Sequence, residues 1–170
     1  VVTDEYKKLL EAAGVPPTKE VSTIKPNQTT NDINTSTANE ELSLFNDAHK
    51  KNIKGQNIKV AILDTGVAEH PDITIAGGVS FVGNQTSYID TVGHGTQMAG
   101  IIAAKGATEE NVIGVAPMAE IYAVKIVHDS GFATTATIMA GLNWAIENKV
   151  NLVNMSFGTY HQSKLLERMV

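Results

Sequence analysis

The run Val60-Ala61-Ile62-Leu63-Asp64-Thr65-Gly66 constrains this chain most. Four apolar residues in succession read as a strand buried on both faces, the pattern of a central strand in a parallel sheet. The run ends on a carboxylate, and Thr65-Gly66 then turns the chain. The carboxyl ends of buried parallel strands are where open α/β sheets present functional groups. Alone, Asp64 is equally a turn former. A second candidate, Gly93-His94-Gly95-Thr96, stands thirty residues later, and the two gain meaning only if they meet.

The residues after this strand alternate in period. Strands are expected at Ile58–Leu63, Ile73–Ile75, Gly78–Val82, Ile121–Val127 and Leu152–Phe157, and helices at His94–Lys105, Thr134–Lys149 and Ser163–Val170. Apolar strands alternating with helices predict an α/β fold, in which a parallel twisted sheet carries helices on both faces in three layers, with right-handed crossovers. Thr3–Ala13 reads as a short helix closed by Gly14 and Pro16-Pro17. The polar, Thr/Asn-rich segment from Asn27 to Asn39 reads as a linker. Residues 1–39 are therefore taken as an extension and 40–170 as part of the main domain. Leu165, Leu166, Met169 and Val170 give the last helix an apolar face with no following strand to cover it, so the chain is expected to be cut inside its domain. Val1-Val2-Thr3 has neither an initiator Met nor a signal-peptide pattern, which fits a processed or cut chain.

Composition excludes several functions. A net charge of -5 without Lys/Arg runs speaks against nucleic acid and anionic lipid. No apolar stretch approaches the roughly 18 residues of a membrane span. The chain has no cysteine, which removes disulfides, thiolate catalysis and thiolate-zinc sites. His49, His70, His128 and His161 lack the i,i+4 spacing of a helical zinc pair. The acceptor pattern for N-glycosylation recurs at Asn27, Asn34, Asn84 and Asn154, but Asn154 falls inside an expected buried strand.

His94 stands between two glycines at the expected start of a helix, where the helix dipole favours the neutral imidazole that a general base requires. Asp64 could hold the tautomer of that ring and stabilise its protonated form. Such a pair is a base and its orienter, without a nucleophile.

In order, VAILDTGV, HPD, D-x-VGHGTQMAGIIAA, GVAP, YAVKIV and NLVNMSFG resemble the subtilisin-like serine proteases over roughly Asn57–Phe157. The resemblance implies a subtilisin-like peptidase fold, with Asp64 as the triad aspartate and His94 as the triad histidine. It implies that Ser130-Gly131 and Ser156-Phe157-Gly158 line a groove in which a peptide or protein substrate pairs as an added strand. It also implies a secreted enzyme that needs no cofactor for its chemistry. Three departures stand out. The Gly-Thr-Ser-Met-Ala block that carries the nucleophile is absent, and none of the eight serines lies in such a setting. The oxyanion-hole Asn is absent too. Gln97 stands where the family often has a second His. The family's structural calcium is expected in the loop Gly106–Val112, whose Thr108, Glu109, Glu110 and Asn111 match its pattern poorly.

The leading expectation is thus part of a subtilisin-like endopeptidase, inactive alone and completed by a Ser-bearing C-terminal fragment. One alternative is a non-catalytic module that binds a peptide or partner. Another is a retroviral-type aspartic protease, because Leu63-Asp64-Thr65-Gly66 also matches that signature.

Overall fold

A computed structural model describes residues 45–107, 112–158 and 167. The chain divides into two compact units, Val1–Asp47 and Ala48–Val170. Of the first, only residues 45–47 are described, and they are helical. The expected Thr3–Ala13 helix, the linker and the boundary near Glu40 lie outside the described residues, as does nearly all of the expected Ser163–Val170 helix.

Among the described residues, the second unit carries four strands and two long helices. These are β1 (Lys59–Asp64), β2 (Ile75–Ser80), α1 (His94–Ala103), β3 (Glu120–Lys125), α2 (Thr135–Glu147) and β4 (Leu152–Asn154). The strands form one parallel sheet in the order β2-β3-β1-β4. β1 is central, and its residues Val60 to Asp64 are all buried, as the apolar run demands.

Alternation along β1 and β3 separates two cores. Val60, Ile62, Ile121 and Ala123 pack with Ala99 and Ala103 of α1. Ala61, Leu63 and Val124 pack with Leu142 and Ala145 of α2 on the opposite face. One helix therefore covers each face, and the fold is the expected three-layer α/β arrangement. Fully burying a side chain such as Ile62 or Ile121 contributes about 1.5–3 kcal/mol, so these strand positions are a major part of what joins sheet to helix. α1 presents small residues to the sheet: Gly95, Ala99 and Ala103 are buried, whereas Ile101 is 60% exposed.

Several element limits move. β1 takes in Asp64 itself, in register with Lys125 of β3. The two short strands expected between Ile73 and Val82 are one strand, β2, with a register shift between Ile75 and Gly77. Leu152–Phe157 is expected as a strand, but β4 stops at Asn154, where its pairing with Ile62 of β1 ends. α2 begins after Thr134, whose hydroxyl accepts from Thr137 N–H at 3.1 Å while Thr134 N–H donates to Thr137 Oγ1 at 3.1 Å. This reciprocal cap satisfies donors that the first turn leaves free.

Candidate active site

Strand alternation points Asp64 to the same face of the sheet as Val60 and Ile62, toward α1. The first residue of α1 is His94. His94 Nδ1 lies 2.8 Å from Asp64 Oδ1. Asp64 is 1% exposed, whereas the His94 side chain is 46% exposed. Asp64 Oδ1 also accepts from Thr65 N–H at 2.7 Å. A buried carboxylate therefore fixes one imidazole nitrogen as the N–H donor, and the other nitrogen, Nε2, has no protein partner among the described residues. That leaves Nε2 as the acceptor, the form in which an imidazole can take a proton.

The approach of α1 to β1 depends on two glycines. A Cβ at Gly95 would lie 2.1 Å from Gly66 O and 3.0 Å from Asp64 Cβ. Gly66 has φ +108° and packs against Tyr88 O, which a Cβ there would meet at 2.2 Å. Only hydrogen at these positions lets the helix start touch the strand end.

Thr65 of the first motif and Asp90, outside both motifs, fix the start of α1. Its N-cap, Gly93, has no capping side chain. Instead, Gly95 N–H donates to Thr65 Oγ1 at 2.9 Å, and Thr96 N–H donates to Asp90 Oδ2 at 3.0 Å. Asp90 Oδ1 accepts from the N–H groups of Val92 and Gly93, both at 2.9 Å. The Thr96 hydroxyl donates to Asp90 Oδ2 at 2.6 Å and accepts from Ala68 N–H at 3.0 Å. Burial raises the pKa of the Asp90 carboxyl, but these bonds from Thr96, Gly93 and Val92 outweigh it and hold the pKa below its ordinary value. Asp90 thus acts as a long-range cap that stays anionic at a positive helix end. Its sequence signal is an acidic residue four positions before His94, upstream of an N-cap glycine that has no side chain to cap with.

Ser130 and Gly131 follow β3, and Ser156, Phe157 and Gly158 follow β4. Because β3 and β4 flank β1, all three chain segments leave the same carboxyl edge of the sheet, with Asp64 between the other two. The first segment is a tight hairpin. His128 N–H donates to Phe132 O at 2.9 Å, Gly131 N–H donates to His128 O at 2.8 Å, and Gly131 takes φ +86°. The Ser130 hydroxyl lies 2.7 Å from His128 Nδ1. Ser156, Phe157 and Gly158 are exposed, and the side-chain bonds there join Ser156 to Asn154. The structure therefore joins Asp64 and His94 directly. The other five residues share their edge without a hydrogen bond to them among the described residues.

Of the loop expected to hold calcium, Thr108–Asn111 lie outside the described residues. Among the described residues, no group of three or more His, Asp or Glu is placed to hold a metal, and no helix is long and apolar enough to cross a membrane.

A parallel α/β sheet with an Asp–His pair at its carboxyl edge is the framework of a subtilase. The subtilase family model matches residues 55–168, and the chain belongs to that family. It is 46% identical over 123 residues to the thermostable alkaline protease of Halalkalibacterium halodurans, covering 72% of this chain and 34% of that protein. It is also 46% identical to subtilisin Savinase of Lederbergia lenta, covering 45% of that protein. Over the same length it is 44% identical to the minor extracellular protease Epr of Bacillus subtilis, covering 19% of that protein. The chain thus spans less than half the length of each of these relatives.

Proposed function

We propose that this chain carries the base half of a secreted serine endopeptidase. His94 Nε2 takes the proton of a serine hydroxyl as that oxygen attacks the peptide carbonyl, and later delivers the proton to the leaving amine. Asp64 holds Nδ1–H and stabilises the imidazolium formed in between. The substrate chain lies extended between Ser130-Gly131 and Ser156-Phe157-Gly158, paired through main-chain groups. The nucleophile and the donors for the oxyanion come from residues other than Val1–Val170, in the same polypeptide or a complementary fragment.

One observation carries the proposal: the 2.8 Å contact between a fully buried Asp64 and a His94 whose ring is half open to solvent. The buried carboxylate fixes Nδ1 as the donor and leaves Nε2 on the open side of the ring, where a hydroxyl can reach it. Pairing of Asp64 with a histidine, on a parallel sheet, also speaks against a carboxylate dyad. Secretion is supported by the word "extracellular" in the name of the Bacillus subtilis relative.

Labelling with a serine-directed fluorophosphonate tests the assignment. The chain Val1–Val170 alone is expected to take no label, and the protein containing the missing serine block to take it on a serine outside these residues. Labelling of Ser130 or Ser156 would refute the assignment.

A further inference from the structure

Lys125 is a lysine at the end of a strand, yet its side chain is only 2% exposed. Alternation along β3 puts it on the face of Ile121 and Ala123, the face that packs on α1, and its register partner on β1 is Asp64. A buried ammonium is costly unless its donors are filled. Here Nζ donates to Thr65 O at 2.5 Å and to Asp129 Oδ1 at 2.7 Å.

Both acceptors lead to the site. Thr65 directly follows Asp64; its N–H donates to Asp64 Oδ1, and its hydroxyl accepts from Gly95, the neighbour of His94. Asp129 precedes Ser130-Gly131 in the hairpin, and its Oδ2 accepts from Gln85 Nε2 at 2.5 Å. Asp129 is held anionic: hydrogen bonds from Lys125 first, then from Thr91 and Gln85, bring its pKa to about 2. The end of β3 is tied to Asp64 a second way, since Ile126 and Val127 N–H both donate to Asp64 O.

We propose that Lys125 is a positioning residue that fixes the Thr65 main chain beneath the Asp64–His94 pair and couples it, through Asp129, to the Ser130–Gly131 hairpin. This rests on the reading of that pair as orienter and base. Lys125 is buried but Asp129 lies at the surface, where an ion pair contributes little to stability, so stability alone does not account for a buried lysine here. What an apolar residue cannot supply is a donor that grips the Thr65 carbonyl.

The test uses Lys125→Met and the double variant Lys125→Met/Asp129→Leu, which leaves no unpaired charge and so preserves a folded protein if the single variant unfolds. Two quantities are read on the full-length protein: the His94 ring titration by NMR, and kcat and KM on a peptide amide. The proposal expects a displaced His94 titration and a kcat lower by roughly 10- to 100-fold, with KM changed far less. A folded double variant with the wild-type His94 titration and kcat overturns it. If His94→Ala keeps activity while Lys125→Met still displaces the His94 titration, the catalytic reading fails and the positioning role stands.

Discussion

The Asp64–His94 centre and the two segments beside it occupy one edge of the sheet but are built in opposite ways. At the centre, polar groups are buried and bonded to one another: Asp64, Thr65, Asp90 and Lys125 are each under a tenth exposed. The Ser130-Gly131 and Ser156-Phe157-Gly158 segments lie at the surface, held by local bonds or none. The proposed roles, a base and a peptide-binding surface, ask for this difference. A base must have its tautomer and direction fixed before substrate arrives, so its supports are desolvated and rigid. A surface that takes a peptide by main-chain pairing must lie where an extended chain can reach it.

The contrast can be broken by substitution. Gly95→Ala puts a Cβ against Gly66 O and Asp64 Cβ, and neither backbone can yield without moving the pair. It is expected to cost about 3 kcal/mol in urea unfolding of the chain. A loss below about 1 kcal/mol would mean that the helix start is not tightly seated. At the other end of the scale, Ser156→Ala removes only surface bonds to Asn154. It is expected to change unfolding free energy by less than about 0.5 kcal/mol. A large loss there would show the segment to be part of the packed framework instead of an open surface.

The two regions are also unequally legible in the sequence. β1 and its terminal Asp64 follow from an apolar run that only a doubly covered strand accommodates. His94 between glycines marks a helix start in close contact with its neighbour. The supporting residues escape sequence reasoning for physical reasons. Lys125 lies in a strand, where a lysine ordinarily reads as solvated, although counting by twos from Ile121 and Ala123 turns it inward. Asp90 caps a helix from four residues before it, outside the usual N-cap position, so local capping rules pass over it. β4 is expected three residues too long, because Met155-Ser156-Phe157 keeps a strand-like composition after its pairing with β1 has ended. Pairing depends on a partner distant in sequence, which local composition does not encode.

The central claim is that His94, oriented by Asp64, is the base of a peptidase. Turnover of a peptide amide by the full-length protein, compared with its His94→Ala variant and with thermal unfolding of both, tests it most directly. The expected result is an unchanged Tm and a kcat lower by roughly 10⁴-fold or more, the scale already known for triad variants of subtilisins. A folded His94→Ala protein that turns over substrate at the normal rate would contradict it.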